Sequence, residues 1–126
     1  MEPGIEVLVV DEDTDMLDLT ETFLKRESNQ IDVTTENHPP TAAERVERGE
    51  FDCIVSDLRM PEMDGIELCE RVSEQRPDLP FFLFTAAERT DIETKPGSDE
   101  LTGVVQKGTG TDHYTDLADR IERVVE

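Results

Sequence analysis

The chain has 126 residues, with 32 Asp and Glu against 12 Lys and Arg, a net charge of −20. That length supports one domain with its own core, with no disulfide or metal staple needed. The charge argues against a nucleic-acid partner, which needs a basic footprint, and no apolar run approaches the roughly 20 residues of a membrane span.

The opening "MEPGIEVLVV" lacks the cationic start and cleavage site of a signal peptide, so the expected location is the cytoplasm. Ile5–Val10 is short, apolar and β-branched, the pattern of a fully buried strand. From 13 to 26, Met16, Leu19, Phe23 and Leu24 recur at helical spacing with Leu17 beside them. Residues 31–35 read as a second, weaker strand. The pair Pro39 and Pro40 opens a helix carrying Ala42, Ala43 and Val46, which Gly49 stops. Residues 51–56 form the third strand. Asp64 can cap a helix bearing Ile66, Cys69 and Val72, ended by Pro77. Residues 80–84, "PFFLF", make the fourth strand and Gly103–Gln106 the fifth. A last helix runs from about Thr111, with Tyr114, Leu117, Ala118, Ile121, Val124 and Val125 on one face.

Strand and helix thus alternate five times, which predicts right-handed crossovers and a doubly wound parallel sheet with helices on both faces. The weak place is 88–102, "ERTDIETKPGSDELT", where only Ile92 and Leu101 offer apolar anchors; its helix is expected to be short and loosely held. No repeat, low-complexity tract or linker suggests a second domain. Cys53 and Cys69 lack metal-type spacing and read as small core residues.

In an open parallel sheet, ligands bind at the carboxyl ends of the strands. The residues just past those ends are Asp11, Glu12 and Asp13, then Asp57, then Thr85 with Ala86 and Ala87, then Lys107. Crowded carboxylates repel, and a hard divalent cation such as Mg2+ relieves them. A carboxylate beside such an ion can attack a phosphoryl group and form an acyl phosphate. A lysine and a hydroxyl can then bind the phosphoryl oxygens. In "FDCIVSDLRMPEMDG", Asp57 ends a rigid strand, while Pro61 and Gly65 turn the chain away and leave the carboxylate reachable.

With "VLVVDED", "FDCIVSDLRMPEMDG", "FFLFTA" and "VVQK" in this order and spacing, the sequence resembles the receiver domains of two-component response regulators over its whole length. The resemblance implies a flavodoxin-like fold with strand order 2-1-3-4-5. It implies that Asp57 is the phosphoacceptor, and that Asp11, Glu12, Asp57 and the backbone carbonyl of Arg59 hold Mg2+. Thr85 becomes the switch hydroxyl and Lys107 the lysine that pairs with the phosphoryl group, with Ala86 leaving room beside it. The implied partner is a sensor histidine kinase or phosphotransfer protein, with no nucleic acid or membrane; monomer and homodimer both stay open.

Five positions depart from the usual pattern. Glu12 stands in place of an Asp. Arg59 and Ala87 occupy variable positions that tune phosphate lifetime. Val104 stands where many members carry the aromatic ring that moves with the threonine. Gly108 follows Lys107 where a cis-proline is usual, and a trans bond is expected because a non-proline cis bond costs about 2.5–4 kcal/mol. The acidic, lysine-poor composition and the tail "VVQKGTGTDHYTDLADRI" resemble receivers of haloarchaea; near 1 M salt the Debye length is about 3 Å, so such charge is tolerated.

Plainer readings stand beside these. Asp13 belongs to a solvated acidic helix start and is left out of the metal set. Thr85 has a helix cap as its alternative. His38 and His113 are read as surface residues in polar loops, and Tyr114 as a core residue. "VLVVDEDTD" is also similar to the Asp-x-Asp start of haloacid-dehalogenase-type phosphatases, which would make Asp11 the nucleophile of a turnover enzyme. Against that, no acidic pair follows Lys107, no room exists for a cap domain, and Asp57 would have no role. A third reading is a degenerate receiver serving only as a protein-interaction module. The expected reactions are self-phosphorylation from a donor and loss of the phosphate, rather than metabolic turnover. Since the chain ends soon after the fifth helix, a stand-alone regulator or a piece of a longer protein is expected, without an attached output domain.

Overall fold

The computed structural model describes residues 4–49, 51–108 and 112–125. Five strands alternate with helices along them: β1 Ile5–Val10, α1 Thr14–Glu27, β2 Ile31–Glu36, α2 Pro39–Glu47, β3 Cys53–Ser56, α3 Gly65–Gln75, β4 Phe81–Thr85, α4 Arg89–Glu93, β5 Gly103–Gln106 and α5 Asp112–Val125, with a 3-10 turn at Ser98–Glu100. All neighbouring strands are parallel, and their order is β2-β1-β3-β4-β5. This is the doubly wound parallel sheet that the alternation predicts, in the flavodoxin-like order that the resemblance implies. Thr111, the expected start of the last helix, lies outside the described residues.

The central strands explain their own composition. In β1, Val7 and Val9 enter one core while Leu8 and Val10 enter the other, so from Val7 onward the strand is buried on both faces and does not alternate with polar residues. β2 lies at the sheet edge, and only Ile31 and Val33 point into a core. One core lies beneath α2, α3 and Ile92 of α4; the other lies beneath α1 and α5. Both cysteines are fully buried thiols, pushed up to about 12 for Cys53 and about 11 for Cys69, chiefly by burial.

Local details shift several expected boundaries. On α1 the buried stripe runs through Leu17, Thr20 and Leu24, and Leu19 is 47% exposed. The stripe includes a threonine, so tracing apolar residues alone put it one position off. On α5, Val124 likewise faces out. β3 begins at Cys53, although Phe51 is still buried. β4 runs one residue later than expected, because Pro80 has no N–H and contributes only its carbonyl, which accepts from Ile54 N at 3.0 Å. His113 is no loop residue: it lies in the first turn of α5, half-buried. His38 is exposed and bonds both Thr41 Oγ1 and Glu62 Oε2.

Two helices differ sharply in how firmly they are built. α3 has eleven residues and a reciprocal capping box, in which Asp64 accepts from Glu67 N and Glu67 from Asp64 N. α4 has five residues and no side-chain cap bond, and Ile92 is its buried anchor. Pro96 and the left-handed Gly97 (φ 89°) interrupt the chain just beyond α4. Among the described residues no peptide bond is cis, the one between Lys107 and Gly108 included. Among them, too, no helix is long and apolar enough to cross a membrane.

Candidate functional site: a carboxylate pair around one lysine

Three strand ladders run one residue past their strands and fix the site. Asp11 N donates to Glu36 O at 3.2 Å, Asp57 N to Val10 O at 3.0 Å, and Lys107 N to Thr85 O at 2.8 Å. Each of these backbones is therefore held by the sheet while its side chain stands at the rim. Lys107 Nζ lies 3.3 Å from Asp11 Oδ2 and 3.6 Å from Asp57 Oδ2. An early residue, a middle residue and a late one thus meet around a single ammonium group.

The loop after β3 is pinned rather than loose. Asp57 Oδ1 accepts from Leu58 N at 2.7 Å, which orients the carboxylate and leaves Oδ2 toward Lys107. Leu58 and Met60 are buried and anchor the loop from beneath. Gly65 N donates to Leu58 O at 2.8 Å, and a Cβ at Gly65 would strike the Asp57 carbonyl and the Leu83 side chain. Only glycine lets α3 start this close to the strand end. Pro61 is exposed, so its part is stiffness rather than packing.

Asp11 is only 6% exposed. Burial raises its pKa, and the nearby Asp57 charge adds to that; the Asp13 N–H, which donates to Oδ1 at 3.0 Å, and Lys107 oppose it. Asp13 itself caps α1 through Oδ1, accepting from Asp15 N and Met16 N. The second acid of the phosphatase-like Asp-x-Asp pair is thus occupied as a helix cap. Glu12 is exposed beside Asp11. Thr85 is 2% exposed and its Oγ1 accepts from Ala87 N at 3.2 Å; the cap position of α4 belongs to Glu88, so Thr85 is not that cap.

A cleft of about 310 Å3 is lined by Asp57, Arg59, Thr85, Ala86 and Lys107, and by Glu88 and Asp91 as well. Sequence reasoning missed those two acids, and on so acidic a chain nothing marks them out. It also missed Phe84, whose ring centroid lies 5.4 Å from Lys107 Nζ.

Among the described residues no three His, Cys, Asp or Glu side chains converge on one point. Two carboxylates do, and the remaining donors offered are the exposed Glu12 and backbone oxygen. An all-oxygen set with a desolvated Asp11 beside Asp57 suits a hard cation such as Mg2+, which keeps part of its water shell.

The response regulator receiver domain family matches residues 7–119. The chain belongs to that family. It is 41% identical over 85 residues to the two-component response regulator ARR10 of Arabidopsis thaliana, covering 66% of this chain and 15% of that protein. It is 32% identical over 83 residues to the transcriptional regulatory protein TcrA of Mycobacterium tuberculosis, covering 66% and 32%. The match therefore spans a third or less of these relatives' lengths. Among solved structures, the response regulator TrrA of Thermotoga maritima in complex with Mg2+ and BeF superposes with a TM-score of 0.83 at 21% identity, over 95% of this chain and 98% of that one. The complex of histidine kinase ThkA with TrrA gives 0.83 at 20%, over 97% and 99%. At these identities the receiver domain shares their fold.

Proposed function

We propose that this receiver domain accepts a phosphoryl group on Asp57 from the phosphohistidine of a sensor kinase or phosphotransfer protein. The observation that carries this is the single ammonium of Lys107 lying between Asp11 and Asp57 at the rim of the sheet. An Asp57 oxygen attacks phosphorus in line; the P–N bond to the donor histidine breaks, and the electron pair leaves with the imidazole. Lys107 pairs with one phosphoryl oxygen and the Thr85 hydroxyl donates to another, while Arg59 lines the same cleft. Asp11, Glu12, Asp57 and the Arg59 carbonyl would hold Mg2+, which when bound neutralises charge on the phosphoryl oxygens. Val104 offers no ring to move with Thr85, so the state of Asp57 is read through 88–102, where the helix is shortest. The acidic surface fits the salt-rich cytoplasm of a haloarchaeon.

The test is intact mass after incubation with Mg2+ and acetyl phosphate at high salt. A single phosphoryl adduct is expected, lost in Asp57→Asn and in excess chelator. An adduct that survives Asp57→Asn but vanishes in Asp11→Asn would favour a phosphatase-like nucleophile. No adduct on a folded sample would leave an interaction module.

A further inference from the structure

Lys107 needs more than its carboxylates to stay in place. Its contacts of 3.3 Å and 3.6 Å are longer than the roughly 2.7–2.9 Å of a strong charge-assisted hydrogen bond, and a lysine stem is flexible. Its ammonium lies 5.4 Å from the centroid of the Phe84 ring, within the roughly 6 Å over which a π face attracts a cation. Phe84 is 2% exposed and directly precedes Thr85. The His113 ring sits 5.4 Å from the Phe84 centroid, tilted by 30°, and 4.3 Å from the Tyr114 ring. Tyr114 also lies 5.4 Å from Phe84 and stacks on Phe23 of α1 at 4.7 Å. A run of rings thus leads from α1 through α5 to the lysine.

We infer that His113 is a positioning residue for the phosphoryl chemistry: its imidazole holds the Phe84 ring as the seat on which Lys107 reaches Asp57. The inference rests on the phosphoacceptor reading for its functional consequence, while the seat itself is a matter of packing. A neutral ring suits the place. Burial lowers the imidazole pKa and Lys107 adds to this, with Asp112 opposing. An uncharged imidazole can stand near an ammonium without repelling it. A protonated one would repel it.

The chain has three lysines, Lys25, Lys95 and Lys107, so the side-chain NMR signals of Lys107 can be assigned on the intact protein. Ring current from Phe84 should displace the Lys107 ε-methylene signals upfield. In His113→Ala and His113→Gln that displacement should collapse, while His113→Phe, which restores a ring, should keep it. Phosphorylation from acetyl phosphate at pH 7.5 should fall about tenfold in the Ala and Gln variants and stay within about twofold in the Phe variant. Unchanged Lys107 signals in the folded Ala and Gln variants would overturn the proposal, as would an equal rate loss in all three. If the wild type takes no phosphoryl group, the phosphoacceptor reading fails, and the NMR comparison still decides whether the seat exists.

Discussion

The β3–α3 unit and the β4–α4 unit have the same topology and opposite construction. β3 leads into a loop anchored by buried Leu58 and Met60, then into an eleven-residue helix with a capping box and a glycine start that admits no side chain. β4 leads into exposed Ala86 and a five-residue helix without a side-chain cap bond, anchored by Ile92. Asp57 sits on the first unit and Thr85 on the second. On the proposed function, the group that holds a geometry for chemistry is on the stiff side, and the group that reports a change adjoins the side with least to hold it still. Segments that move are drawn from the least stable parts of a fold, and few buried contacts are the structural mark of such parts.

The largest expected effect on stability separates the two units directly. Leu68→Ala in α3, where the side chain is 1% exposed, should cost about 2–5 kcal/mol of global stability in denaturant titration. Ile92→Ala removes an equally buried side chain, yet should cost roughly half of that or less, because α4 can open without the rest. Equal losses would make the molecule one cooperative unit and erase the contrast.

Cap removal should sharpen it on a smaller scale. Asp64→Ala breaks the capping box of α3 and should cost about 1 kcal/mol. Glu88→Ala, at an N-cap with no side-chain bond, should stay within about 0.5 kcal/mol. Thermal melts of the pair at one salt concentration check both values.

A further effect has the opposite sign. Asp11 has a folded-state pKa above its usual value because it is buried, so its ionised form lowers stability once pH rises through that pKa. Asp11→Asn should therefore raise stability at pH 7 by up to about 1 kcal/mol, or roughly 4 °C in Tm, even though it removes a candidate metal ligand. The gain should shrink as pH falls toward 4. His113 acts in another window: its folded-state pKa is below 6.5, so wild-type stability should decline as pH drops beneath that value, and His113→Phe should flatten the decline.

Much of this was legible in the chain because the relevant residues report on local rules. A β1 apolar from Val7 to Val10, proline at the start of α2, Asp64 before α3 and glycine at 65 each have one backbone use that fits. Asp11, Asp57, Thr85 and Lys107 could be placed on one rim because parallel topology puts every strand end on the same edge. What stayed hidden depends on neighbours far apart in sequence. Thr20 is buried while Leu19 is exposed, and only the packing of α1 on the sheet decides which one turns inward. His113 reads as a polar loop residue until α5 brings it against Phe84. Glu88 and Asp91 are indistinguishable from the other acids of a chain with net charge −20 until the cleft is drawn.

The claim that a rigid phosphoacceptor is read out by a weakly held neighbour meets its most direct test in backbone amide exchange. Wild type and Asp57→Asn would each be followed with and without Mg2+ and acetyl phosphate. In the wild type, protection within 88–102 should change while Cys53–Ser56 and Gly65–Gln75 stay as they were, and Asp57→Asn should show no change anywhere. Identical protection across 88–102 in the phosphorylated wild type, or a change centred on α3 instead, would contradict the account.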